Sequence, residues 1–115
     1  MVTIKLSSFT NEAASKSKGS LLRKMLEEPL KNGDVISVDF GGIKRFASPF
    51  FNNSFASLGL VYGFEHLDKI KLLNITDTGK STYDTSIENA KLIYQNQEFS
   101  STINKIINNV PKKVE

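Results

Sequence analysis

A chain of 115 residues, 39% hydrophobic and with a net charge of +3, makes one domain that buries a modest core without staples. It has no cysteine, which excludes disulfides, thiolate zinc sites and a cysteine nucleophile. Its basic runs, such as Lys44-Arg45 and Lys112-Lys113, are merely pairs. A nucleic-acid surface needs a denser basic stripe with interleaved aromatics, so no nucleic-acid partner is expected.

Val2, Ile4 and Leu6 alternate with Thr3 and Lys5, which predicts a short strand over residues 2–6. Residues 10–18 are small and polar, a loop or the approach to a helix. From Gly19 onward Leu21, Leu22, Met25, Leu26 and Leu30 fall at helical spacing, with Ser17 or Ser20 as the cap. Pro29 lacks an amide proton, so the helix bends or ends near it. Lys31-Asn32-Gly33-Asp34 then turns the chain.

Asp34 to Phe40 is the clearest strand. Its β-branched residues and few charges suit a central, covered place in a sheet, and Gly41-Gly42 ends it. Ser48-Pro49 starts a helix, because serine accepts a backbone amide and proline is tolerated in the first turn. Phe51, Phe55 and Leu58 repeat along one face of that helix, which Gly59 or Gly63 ends. Ile70, Leu72 and Asn74 alternate as a third strand, and residues 76–81 read as a polar loop. Thr85-Ser86-Ile87-Glu88 has capping-box spacing, with Tyr83, Ile87, Ala90 and Tyr94 along one helical face. Ile103, Ile106, Ile107 and Val110 suggest a short final helix stopped by Pro111. The domain thus spans residues 1–110, with a frayed tail over 111–115.

The order β-α-β-α-β-α favours an α/β fold: a small, mostly parallel or mixed sheet packed by three to four helices, with right-handed crossovers between parallel strands. No apolar run is long enough to cross a membrane, and Met1 to Leu6 lacks the long apolar region of a signal peptide. The expected setting is the cytoplasm, with no membrane association.

Three matches to known chemistry are short. Gly79-Lys80-Ser81 has the ending of a phosphate-binding loop, but Asn74 stands where that motif has its first glycine. Asp39-Phe40-Gly41 matches the metal-binding triplet of protein kinases without the other kinase elements. His66 is the single histidine, with Glu65 and Asp68 beside it and no positioned nucleophile. No catalytic residue, metal or cofactor is expected. Phe50 and Phe51 point about 100° apart on a helix, so one of the two rings is expected to face a partner or a second packed element.

The run Val38-Asp39-Phe40-Gly41-Gly42-Ile43, then Phe46-Ala47-Ser48-Pro49-Phe50 and Phe55-Ala56-Ser57-Leu58, resembles the STAS-like domains of the DUF4325 subgroup. Those domains carry a hydrophobic strand ending in Asp-Phe, a glycine-containing turn, and a serine-rich helix start followed by phenylalanine. The strand from Lys69 to Asn74 and the segment Ile87-Glu88-Asn89-Ala90 fit the same pattern. The resemblance implies a STAS-like fold and a non-catalytic protein-interaction or regulatory module. In the anti-sigma-factor antagonists of that superfamily a serine at the corresponding helix start is phosphorylated by a partner kinase, and Ser48 is the matching position. The implied partner is another protein, such as a histidine-kinase-like ATPase.

The expected regulatory or partner-binding residues are Ser48, Gly42, Lys44, Arg45, Phe50, Asn52 and Asn53. A phosphate on Ser48 would sit near helix amides and a favourable dipole end; the plainer role for Ser48 is an N-cap. Two other functions stay open. One is a phage or mobile-element accessory or inhibitor protein that binds a host machine. The other is phosphate or nucleotide binding through Gly79, Lys80 and Ser81. A homodimer stays open as well.

Overall fold

Three short β-branched segments become β1 (Val2–Lys5), β2 (Ile36–Asp39) and β3 (Ile70–Leu73), all parallel and in the order β1-β2-β3. The computed structural model describes residues 2–108, with side chains to Gln95. Val2, Ile36 and Ile70 stand in register, as do Ile4, Val38 and Leu72. These rows face the helices and join the core. The alternate rows, Thr3-Ser37-Lys71 and Lys5-Asp39-Leu73, turn to the other face, as strand alternation requires. β2 is the middle strand, and Ile36, Ser37 and Val38 are all buried.

The helices are α1 (Lys16–Lys31), α2 (Ser48–Asn52), α3 (Phe55–Tyr62) and α4 (Asp77–Asn108), with 3-10 turns at Leu6–Ser8 and Phe64–Lys69. Sequential parallel strands joined by right-handed crossovers bring successive connections to one face. Accordingly α1 packs on α2 and α3, and α4 on α2 and α3. The core between sheet and helices holds Leu22, Leu26, Phe40, Phe50, Phe51 and Phe55, among others. Among the described residues no helix is long and apolar enough to cross a membrane.

The helix boundaries correct several sequence expectations. The cap of α1 is Ser15, whose Oγ accepts from the Lys18 amide at 3.2 Å. Its backbone is extended (φ −88°, ψ 151°), the conformation a cap needs, whereas Ser17 and Ser20 lie inside the helix. The helix ends at Lys31, two residues past Pro29 and near it, as expected. Gly33, at φ 76°, then closes it, with the Asp34 amide donating back to the Pro29 carbonyl.

The helix expected from Ser48 onward is two helices. Between them Ser54 leaves helical geometry (φ −121°, ψ −90°), is fully buried, and donates from Oγ to the Phe50 carbonyl at 2.8 Å. Gly63, at φ 107°, ends α3, while Gly59 lies within it. The break also overturns the expectation for Phe50 and Phe51, since both rings are fully enclosed. Short α2 lies between α1 and α4. The Phe50 backbone meets Gly19 of α1, and Phe51 packs edge-on against Tyr83 of α4 at 5.7 Å. With neighbours on both sides, adjacent positions can both be buried.

Residues 76–81 are not a loop. Thr76 Oγ1 accepts from the Gly79 amide at 3.1 Å, and α4 begins at Asp77. It continues unbroken through Thr85-Ser86-Ile87-Glu88, so no capping box interrupts it, and through Ile103 to Ile107. The expected final helix is therefore the end of α4. Val110, Pro111 and the expected tail lie outside the described residues. At about 1.5 Å per residue α4 is roughly 48 Å long, and the molecule measures 57 Å along its longest axis against 29 and 22 Å.

Candidate functional site

Ligands of open parallel sheets gather outside the carboxyl ends of the strands. There the chain leaves β2 at Asp39 and travels to α2 through residues 40–47. The segment is tied at several points. The Ile43 amide donates to the Phe40 carbonyl at 2.9 Å, and Ile43 itself is buried. Residue Ala13 pairs with Phe46 as a single parallel bridge: its amide donates to the Arg45 carbonyl at 2.8 Å, and its carbonyl accepts from the Ala47 amide at 3.0 Å. Phe46 lies on the core, its ring 6.3 Å from those of Phe40 and Phe51.

Gly42, Lys44, Arg45 and Ser48 are exposed along this tied backbone. Gly42 has φ 83°, a conformation that favours glycine. Ser48 does not cap α2. The cap position is Ala47 (φ −152°, ψ 151°), without a side-chain cap bond, and Ser48 is the first helical residue, followed by Pro49. The expected N-cap role is thereby corrected, because the extended backbone that defines a cap falls one residue earlier.

The other expected contact residues separate. Phe50 is core and presents nothing to a partner, a correction that follows from its full burial. Asn52 is exposed, but its Oδ1 accepts from Ser86 Oγ of α4 at 2.5 Å. Asn53 donates from Nδ2 to the Pro49 carbonyl at 2.7 Å and closes its own helix.

Beside the loop, Asp39 Oδ1 accepts from the Gly41 amide at 2.8 Å and from Asn74 Nδ2 at 3.0 Å. Hydrogen bonding by Asn74, then by Gly41, holds the Asp39 carboxyl below its ordinary value. Desolvation opposes this, and Lys5 adds a smaller lowering. Asn74 itself has φ 57°, a conformation asparagine tolerates better than most residues. This clamp was missed in the sequence. Its signal is an asparagine directly after one strand and an aspartate at the end of its neighbour.

Gly79, Lys80 and Ser81 occupy the first turns of α4. Gly79 is buried where an added Cβ would come within 2.6 Å of the Phe46 ring, so its smallness makes room for the residue that anchors the loop. Lys80 Nζ donates to both carboxylate oxygens of Asp84, at 2.9 and 3.1 Å. His66 is partly exposed, 4.0 Å from Glu65. Among the described residues no group of three or more His, Asp or Glu is placed to hold a metal ion.

A family model described as "STAS-like domain of unknown function (DUF4325)" matches residues 18–80. The chain belongs to this family. The match begins in α1 and ends at Lys80 near the start of α4, so the STAS-like pattern takes in β2, β3 and the loop between Asp39 and Ser48. No curated protein and no solved structure matches the chain.

Proposed function

We propose that this STAS-like domain is a non-catalytic interaction module that docks onto another protein through Gly42, Lys44, Arg45 and Ser48. The observation behind this reading is the loop: exposed polar and cationic side chains on a backbone fixed by the Ala13 bridge, by the buried Ile43 and by the half-buried Phe46 packed on the core. A surface ordered before binding loses little conformational entropy on docking. Lys44 and Arg45 suit an acidic patch on the partner. The Ser48 hydroxyl is exposed and is not used as a cap. A phosphate there would cancel most of the positive charge of Lys44 and Arg45 and weaken the attraction to that acidic patch. By family analogy the partner is a histidine-kinase-like ATPase.

The test is capture from the native cell with the intact protein, in the presence of ATP, followed by binding measurements on whatever is recovered. Lys44→Glu with Arg45→Glu, in a chain that melts like wild type, should abolish binding, and Ser48→Asp should weaken it. Binding unchanged in both variants removes the docking surface. Turnover of a small molecule, lost on changing one side chain, removes the non-catalytic reading.

A further inference from the structure

We propose that the groove between α3 and α4 binds a small neutral molecule, an alkyl chain that ends in an uncharged hydrogen-bond acceptor. The groove holds about 540 Å³, within the roughly 300–1,000 Å³ of small-molecule sites. Its floor is set by Ala56 of α3 and Ala90 of α4, both buried. Their side chains stop at Cβ, so the space above them stays open. Leu60, Leu92 and Ile93 rise at the rim and are 38%, 55% and 50% exposed. These apolar surfaces meet water in the free chain, and covering them is favourable.

The polar lining gathers at one end. Along α4 the groove is lined in turn by Ser86, Asn89, Ala90 and Ile93, a rise of about 10 Å from first to last. The two polar residues come before the apolar ones. Asn52, the last residue of α2, joins them through the bond of 2.5 Å from Ser86 Oγ to its Oδ1. That bond fixes how the Asn52 amide is used: Oδ1 is taken, and Nδ2 remains a donor. One end of the groove thus offers a donor amide, and the other offers aliphatic carbon.

Three features select this class of ligand. None of the eight lining residues is charged, although 23% of the chain is. A carboxylate or ammonium head would leave water there without a counter-charge, so the head is neutral. The donor on Asn52 calls for an acceptor, such as an amide or ester carbonyl. The separation of polar from apolar lining over about 10 Å suits a linear amphiphile better than a uniformly polar molecule. The groove shares no residue with the loop of the docking proposal, and either reading can fail alone.

The experiment is a methyl-resolved NMR titration of the full chain with octanamide, with octanoate and acetamide as controls. Octanamide should give saturable shifts at the methyl groups of Ala56, Leu60, Ala90 and Ile93. Octanoate should bind about tenfold more weakly or worse, because its charged head finds no counter-charge. Acetamide, which lacks the alkyl chain, should shift nothing. Leu92→Asp and Ile93→Asp each change a residue at least half exposed, so both variants should melt like wild type. Each should weaken octanamide binding by about tenfold or more, because a charge then faces the alkyl chain. No saturable shift, octanoate binding as tightly as octanamide, or binding untouched by both substitutions overturns the proposal. So do shifts of these methyl groups with protein concentration alone, which would put a second copy in the groove.

Discussion

Ser86 and Asn52 share a hydrogen bond of 2.5 Å between the middle of α4 and the end of α2, and the two ends of that bond differ in their surroundings. Ser86 is buried and Asn52 is exposed. Losing either partner removes the bond, but only one loss strands a group away from water.

The two truncations should therefore be unequal. Ser86→Ala leaves Asn52 free to bond to solvent and should cost about 1 kcal/mol. Asn52→Ala leaves the Ser86 hydroxyl buried without its acceptor and should cost about 1–3 kcal/mol. Urea unfolding of both variants and of the double variant gives the coupling energy. Equal costs would mean that water reaches Ser86 once Asn52 is cut back.

Gly19 should resist the change that stabilises most helices. Replacing glycine with alanine in a helix interior usually gains about 1 kcal/mol. Here the added Cβ would approach the Phe50 carbonyl oxygen, a backbone atom that a side-chain rotation cannot move. Gly19→Ala should destabilise by about 1–3 kcal/mol, the range for overpacking, and thermal melting gives the sign directly.

The clamp between Asp39 and Asn74 predicts a pH dependence. The Asp39 carboxyl is lowered in the folded chain, first by the Asn74 bond and then by Gly41. Its contribution to stability is therefore present above the unfolded value near 3.8 and is lost as pH falls through the lower folded value. Asn74→Gly keeps the positive φ and deletes the donor. In that variant the Asp39 titration, followed by NMR, should move up toward its ordinary value, and the acid side of the stability curve should flatten.

Tyr83 works at the opposite end of the scale. Burial, with smaller contributions from Asp68 and Asp84, pushes its phenol up to about 12. The folded chain thus holds that proton more tightly than the unfolded one. The associated stability is complete below about pH 10 and is lost as pH rises toward about 12. Spectrophotometric titration should show a late phenol that is lost in Tyr83→Phe.

The sequence by itself determined the α/β class, the middle place of β2 and the family. These rest on local signals: β-branched runs at strand spacing, a glycine turn after Asp39-Phe40, and Ser48-Pro49 at a helix start. The placement of the loop residues Gly42, Lys44 and Arg45 at the surface was legible for the same reason. What only the tertiary structure decided were the features that depend on a second element. The chain breaks at Ser54, whose hydroxyl turns back to the Phe50 carbonyl where the packed elements bury it completely. Phe50 and Phe51 are both enclosed because α1 and α4 close on α2 from two sides. The first turn of α4 lies against the loop because Gly79 admits the Phe46 ring. Periodicity reports how a residue relates to its own helix or strand, whereas burial and pairing across the fold are set by which other surface arrives.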